Sequence, residues 1–329
     1  VGEDGEKGWP VGKVRILIVK PSSMGDIVHA LPVAAELRRR HPAAHIAWVV
    51  KRKWAPLLEE HPDLDEVVPM DFTFSGFWKG VRELRARRFD VAIDIQGLAR
   101  SGLLAWLSGA KTRIGFERSA CREPVNALFT NREIRVPPGA HVVDKNMSLF
   151  GISGARPALG TPAVSIRAGV GIHPGVGAEV KAWDPERFAA LCDRLVEAGV
   201  ERVILFGGSD SDRRIDDVRG AMKREAERAP LMELRELCAF LGRCRVVVSA
   251  DSGPLHLAAA LGTPTVGLFG PSDPDLVAPR GENAVALKKP CTCSGPKGIY
   301  FNRDCPERAC MKSLEADEVF GIVRSLLEK

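Results

Sequence analysis

Short apolar runs recur along the chain, and each gives way to a stretch whose apolar residues return every three or four positions. Continuous apolar runs mark strands buried on both faces, whereas the second spacing marks the single buried stripe of a helix. In the first half the runs at 14–19, 46–50, 66–69, 91–95 and 112–114 predict strands, and 27–40, 54–61, 77–87 and 100–107 predict helices. The alternation stops at 155–168, which has proline and glycine without periodicity and reads as a linker. It then restarts. Apolar runs lead into His173, Gly207, Asp251 and Gly270, with helices predicted over 185–198, 212–227, 232–241, 254–261 and 314–327. Asp184 is the expected N-cap ahead of Pro185. Strands alternating with helices build βαβ units, so two α/β domains with mostly parallel sheets and a cleft between them are expected. Ligands of such sheets sit beyond the carboxyl ends of the strands, where Asp26, His173, Gly207, Asp251 and Gly270 all fall.

Composition narrows the class. The 329 residues are 45% apolar and 27% charged, which suits a globular chain with two cores. No apolar run is long enough to span a bilayer, and the opening "VGEDGEKGWPVGK" lacks the apolar stretch of a signal peptide. Residues 1–13 therefore read as a loose tail, and the cytoplasm is the expected location. Charge is uneven. Up to Ser165 there are 24 Lys and Arg against 18 Asp and Glu; from Ile166 onward there are 23 against 24. The basic excess clusters at 38–40, 51–53 and 82–88. Such clusters are either solvated helix faces or a surface for an anionic partner, such as a phosphorylated acceptor or an acidic membrane. Nucleic acid is disfavoured, because no aromatic-laced basic motif occurs and the chain has one tyrosine.

Candidate chemistry begins with absences. No G-x-G-x-x-G follows the first strand, and no P-loop, H-E-x-x-H or G-x-S-x-G is present. In "SADSGPLHLAAALGTPTVGLFGPSDP" a buried strand ends at Asp251, Ser252 and Gly253 turn, and Pro254 opens a helix. Amides at a helix start hold phosphate and favour negative charge, Ser252 adds a hydroxyl, and His256 lies one turn further on. The competing reading is a capped structural helix with a core histidine. In "GIHPGVGAEVKAW" the strand ends at His173 and a glycine-rich loop with Gly175 leads to Lys181. That suits a diphosphate, or else a surface loop with a solvated lysine. The loop "KPSSMGDIVHALP" carries a single glycine, Gly25, and beside it a carboxylate, Asp26, an unwelcome group in a phosphate cradle.

Together these segments resemble the ADP-heptose:lipopolysaccharide heptosyltransferase family. The likeness runs through "VRILIVKPSSMGDIVHALP", "FDVAIDIQGLARSGLLA", "RIGFE", "HPGVGAEVKAW" and "DSGPLHLAAALGTPTVGLFGPSDP", nearly the whole chain after its tail. It implies the GT-B fold, with two doubly wound Rossmann-like domains. Residues 14–160 would bind the acceptor and 161–312 the nucleotide-sugar, while the helix in 313–329 would pack back on the first domain. It implies Asp26 as catalytic base, with Ser22, Ser23, Gly25, Gln96 and Gly97 on the acceptor side. His173, Gly175, Lys181, Asp251, Ser252, Gly253 and His256 would bind the donor. The implied reaction is inverting transfer of heptose from ADP-heptose to Kdo or a first heptose of the lipopolysaccharide inner core. A monomer would act peripherally at the inner face of the cytoplasmic membrane. No cofactor is required: a carboxylate takes the acceptor proton, and a lysine with a helix start takes the diphosphate charge, without a metal. The rival readings are a GT-B nucleotide-sugar 2-epimerase, for which the second domain shows no matching acidic cluster, and a non-catalytic nucleotide-sugar-binding protein.

Eight cysteines are present. Cys121, Cys192, Cys238 and Cys244 lie in apolar or helical stretches and read as packing residues. Cys291, Cys293, Cys305 and Cys310 lie close together. Reduced thiols are expected there, with zinc or a disulfide as alternatives, since the spacing matches no common structural zinc pattern.

Overall fold

The computed structural model describes residues 13–159, 169–290 and 305–329. The chain divides into two compact units, Val1–Pro157 and Ala158–Lys329. In the first, chain order is β1 (Arg15–Val19), α1 (Met24–Val28), α2 (Leu31–Arg40), β2 (His45–Lys51), β3 (Glu66–Met70), α3 (Phe74–Ala86), β4 (Val91–Asp94), α4 (Ala99–Leu107), β5 (Thr112–Phe116), β6 (Arg132–Ile134) and α5 (Val142–Met147). The six strands are parallel in the order β3-β2-β1-β4-β5-β6. In the second, the order is β7 (Val170–His173), α6 (Pro185–Glu197), β8 (Val203–Leu205), α7 (Asp212–Ala221), β9 (Glu227–Arg228), α8 (Leu234–Arg243), β10 (Val246–Ala250), α9 (Gly253–Ala260), β11 (Thr265–Phe269), α10 (Pro274–Val277), β12 (Ala284–Lys288), α11 (Ala309–Lys312) and α12 (Ala316–Leu327). Its strands are parallel in the order β12-β11-β10-β7-β8-β9.

Both sheets are doubly wound. The strand order reverses between β1 and β4 in one and between β7 and β10 in the other. At such a switch point the connections leave in opposite directions, which opens a crevice at the carboxyl ends. The central strands β1, β4, β7 and β10 are buried almost throughout, as a parallel sheet covered on both faces requires. On one face of the first sheet Val81 and Leu84 of α3 and Leu104 of α4 pack over Leu17, Val49 and Val68.

Three predicted elements differ from the structure. The helix over 27–40 is broken at His29–Ala30, because Pro32 in the first turn of α2 has no amide to continue the α1 ladder. The helix over 54–61 is a 3-10 segment, Arg52–Leu57, with Pro56 inside it for the same reason. The helix over 212–227 stops at Ala221. Asp193 of α6 accepts the amides of Lys223 and Arg224 at 2.8–3.1 Å, and the released chain adds β9 to the sheet edge. Asp184 holds the N-cap position of α6, yet its carboxylate pairs with Arg308 at 3.1 Å instead of the helix amides.

The terminal helix packs within the second unit. Val319, Val323 and Leu326 of α12 are buried in the second unit's core, beside Leu191 and Leu195 of α6. Trp183 Nε1 and Arg187 hold the Leu314 carbonyl at 3.0 and 2.7 Å, anchoring the helix start. Its apolar stripe is thereby used within the second unit. Most of the tail 1–13 and of the linker 155–168 lies outside the described residues.

Candidate active site

The first unit's site grows from the ends of β1 and β4, the two strands at its switch point. Lys20 follows β1 and is buried; its Nζ donates to the Ile95 carbonyl after β4 at 2.7 Å. Burial pushes the Lys20 ammonium below its ordinary value, and the charges of Asp26 and Asp94 work against that. Asp26 stands at the third position of α1, where its carboxylate completes a capping box. Oδ2 accepts from the Ser23 amide at 2.8 Å and from the Ser23 hydroxyl at 2.9 Å. Oδ1 has no hydrogen-bond partner among the described residues. The acid beside Gly25 therefore has a local structural cause, a helix start that welcomes negative charge, and this half-buried residue keeps Oδ1 outside the capping box.

Across the crevice, Asp94 is buried at the end of β4. It accepts from the amides of Gln96 at 2.9 Å and Gly97 at 3.4 Å, from Ser101 at 2.9 Å and from Asn126 at 2.6 Å. Burial raises its carboxyl above the usual range, opposed by these donors. The bonds bend the chain so that Gly97 adopts φ +72°, and they aim Gln96 back at β1. There Gln96 Oε1 accepts from the Ser22 amide at 3.3 Å. The structure thus brings Ser22, Ser23, Gly25, Asp26, Gln96 and Gly97 to one crevice.

The second site repeats the plan at β7 and β10. His173 ends β7, with Nδ1 3.0 Å from Ser249 Oγ on β10 and 3.4 Å from Ser252 Oγ. Burial holds His173 down at about 4, so its ring is neutral near pH 7. Ser252 takes the N-cap position of α9, but its hydroxyl bonds Ser249 at 2.8 Å and does not cap the helix. Gly253 and Pro254 open α9 as expected. Asp251 is the hub. Its Oδ2 receives Lys181 Nζ at 2.5 Å and Ser272 Oγ at 2.6 Å, and its Oδ1 lies 3.2 Å from His256 Nε2. Burial pushes the Asp251 carboxyl up, but hydrogen bonding by His256 and the Lys181 charge outweigh it and hold the group well below the usual carboxylate range. Gly175 is needed for space: a Cβ there would come within 2.1 Å of Ser211 Oγ and 2.9 Å of His173 Nε2.

Several members escaped the sequence reading. Lys20 was signalled as the charged residue closing an apolar strand, and Ser272 as a hydroxyl just past β11. Ser249 sits inside a strand, and Asn126 reaches Asp94 from 32 positions away, so neither has a local signal. Among the described residues no group of three or more His, Cys, Asp or Glu is arranged to hold a metal ion, and no helix is long and apolar enough to cross a membrane. Cys310 is buried in the second core and Cys305 is partly exposed, while Cys291 and Cys293 lie outside the described residues.

With this geometry in hand, comparison with known proteins is informative. The family model for glycosyltransferase family 9 (heptosyltransferase) matches residues 77–172 and 152–299. Lipopolysaccharide heptosyltransferase 1 of Pseudomonas aeruginosa is 30% identical over 304 residues, covering 85% of each chain. Lipopolysaccharide heptosyltransferase 2 of Escherichia coli is 25% identical over 313 residues, covering 84% of this chain and 88% of that one. The structure of E. coli heptosyltransferase WaaC with ADP superposes with a TM-score of 0.78 at 25% identity, covering 95% of this chain and all of the other. The two doubly wound sheets are accordingly of the GT-B class. The chain is an enzyme of glycosyl transfer and belongs to glycosyltransferase family 9, the heptosyltransferases.

Proposed function

We propose that this chain transfers heptose, with inversion, from ADP-heptose to the lipopolysaccharide inner core. Asp26 acts as the base, and the second unit holds the donor. The observation that carries the assignment of roles is the contrast between the two switch-point crevices. One presents a carboxylate with an open oxygen, while the other presents a lysine already poised against a buried acid. Asp26 Oδ1 takes the acceptor hydroxyl proton as that oxygen attacks the anomeric carbon. The bond from that carbon to the diphosphate breaks, and negative charge gathers on ADP. Lys181 and the amides opening α9 stabilise it, in place of a metal ion. Asp251 aims Lys181 through their hydrogen bond, and His173, neutral, offers a hydrogen bond without a competing charge. Activity should therefore survive exhaustive treatment with EDTA; abolition restored by added divalent cation would remove this account of the leaving group.

Kdo is the acceptor we favour over a first heptose, because within one organism, Escherichia coli, this chain is 28% identical to heptosyltransferase 1 and 25% to heptosyltransferase 2. The chain would work as a peripheral monomer at the cytoplasmic face of the inner membrane. The decisive experiment follows ADP release from ADP-heptose with matched acceptors ending in Kdo or in heptose. Asp26→Asn should lose about 100-fold or more in turnover, the scale of a general base, with ADP-heptose affinity retained. Normal turnover by that variant would end the assignment.

A further inference from the structure

The described residues expose six large apolar side chains, and five of them (Phe74, Trp78, Trp106, Val125 and Leu128) lie in the first unit, which also carries the basic excess. Two of the five share one helix face. Thr73 caps α3 by accepting the Gly76 amide, and Gly80 sits where a Cβ would come within 2.7 Å of Met70, so the helix is held close on β3. Gly80, Val81 and Leu84 turn inward. The outward residues are Phe74, Ser75, Trp78, Lys79, Arg82, Arg85 and Ala86, with Phe74, Trp78 and Arg82 aligned at four-residue spacing. Phe74 is 86% exposed, far more than an aromatic ring kept for packing. None of the outward residues is an acid: Glu83 is half-buried, and Asp71 ahead of the helix is engaged by Arg52 at 2.9 Å. At the foot of α3, an open hollow of about 610 Å³ is lined by Lys51, Asp71, Phe72 and Lys79, and Phe72 lies under the cations of both Lys51 and Arg100.

We infer that the N-terminal turns of α3 are a membrane-docking surface, in which Phe74 and Trp78 enter the headgroup region of an anionic bilayer while Lys79, Arg82 and Arg85 lie against its phosphates. Aromatic rings beside unopposed Lys and Arg are the composition that partitions into a lipid–water interface, where rings prefer the headgroup level and cations meet negative surface potential. A protein partner with an acidic face would match the arginines but would leave the Phe74 ring without reason to protrude. The inference deepens the functional reading above and rests on it for the expectation that the acceptor is carried by lipid.

The test uses the full chain and vesicles of phosphatidylcholine, alone or mixed with phosphatidylglycerol. The native chain should sediment with the mixed vesicles, weakly with phosphatidylcholine, and less as salt is raised. The double variant Phe74→Ser/Trp78→Ser should partition about tenfold or more weakly, the scale of two lost ring burials, with its melting curve and its turnover of delipidated soluble acceptor unchanged. Lys79→Gln/Arg82→Gln should lose the preference for phosphatidylglycerol while retaining residual binding. Trp78→Phe should abolish most of the vesicle-induced blue shift in tryptophan emission. Native binding to mixed vesicles undiminished in the ring double variant would overturn the inference. So would self-association that this variant abolishes in the absence of vesicle binding, since the face would then join two copies. Vesicle binding with no heptose transfer to any acceptor would leave this surface standing and remove the function proposed for the site; full turnover with no vesicle binding would do the reverse.

Discussion

Asp251 gathers a lysine, a histidine and a hydroxyl on one buried carboxylate, and that concentration determines what its loss would do. Replacing Lys181 by Met leaves a buried acid short of its ammonium partner. ADP affinity should fall about 10- to 100-fold, the scale of a lost charge-assisted bond, and calorimetric titration would measure it. An unchanged affinity would place the diphosphate elsewhere. His173 sets a separate signature in stability. Its pKa lies near 6.5 unfolded and about 4 folded, so between those values the unfolded chain binds the extra proton. Its contribution is complete above pH 6.5 and is lost as pH falls toward 4, by up to about 3 kcal/mol. Asp251 acts lower: its folded value is depressed, so its contribution is complete above the unfolded value near 3.9 and is lost only as pH falls further. Urea midpoints taken from pH 7 down to 4 should slope less in His173→Asn than in the native chain. Some slope should remain, because burial lowers His61 as well. Parallel slopes in the two chains would show that the His173 ring is not held neutral by folding.

At the scale of elements, the strands were legible because a strand buried on both faces writes itself as an unbroken apolar run, as "RILIV" and "VVVSA" do. The helix ends were less so. Pro32 and Pro56 interrupt apolar periodicity that itself continues, and only the missing amide, a property the periodicity does not register, ends each ladder. The end of α7 depends on Asp193, about thirty positions earlier, and no local pattern could announce it. The sites divide the same way. Charged residues at strand ends were readable, and so were near neighbours such as Ser23 beside Asp26, whereas Asn126 on Asp94, Ser249 on His173 and Ser272 on Asp251 came from distant segments. Gly175 belongs to this scale because it lets the loop after β7 lie against the start of α7. Gly175→Ala should destabilise the chain by about 1–3 kcal/mol through overpacking and weaken ADP binding. Adding Ser211→Ala removes the nearest clashing atom, 2.1 Å from the new Cβ, and should return part of both losses. His173 Nε2 at 2.9 Å keeps the rescue incomplete. Thermal melts with and without ADP check both steps, and a harmless Gly175→Ala would show that the loop has slack.

For the whole molecule, the two units are built alike yet have separate cores, and α12 belongs to one of them. Ala316, Val319, Val323 and Leu326 all enter the second core. Each large aliphatic side chain so buried contributes about 1.5–3 kcal/mol, so removing residues 316–329 should cost the second unit about 5 kcal/mol or more. The first core contains none of these side chains and should not register the deletion. Hydrogen exchange resolved by peptide distinguishes the cases: amides of β7 and β10 should lose protection while those of β1 and β4 keep theirs. Because a ligand stabilises only the unit that binds it, ADP should slow exchange in β7 and β10 of the intact chain, and this effect should vanish in the truncated one. Loss of protection in β1 and β4 instead would mean that the terminal helix supports the first unit after all. In that event the first unit, with Asp26 at the mouth of its switch point, would depend on the chain's end for its stability.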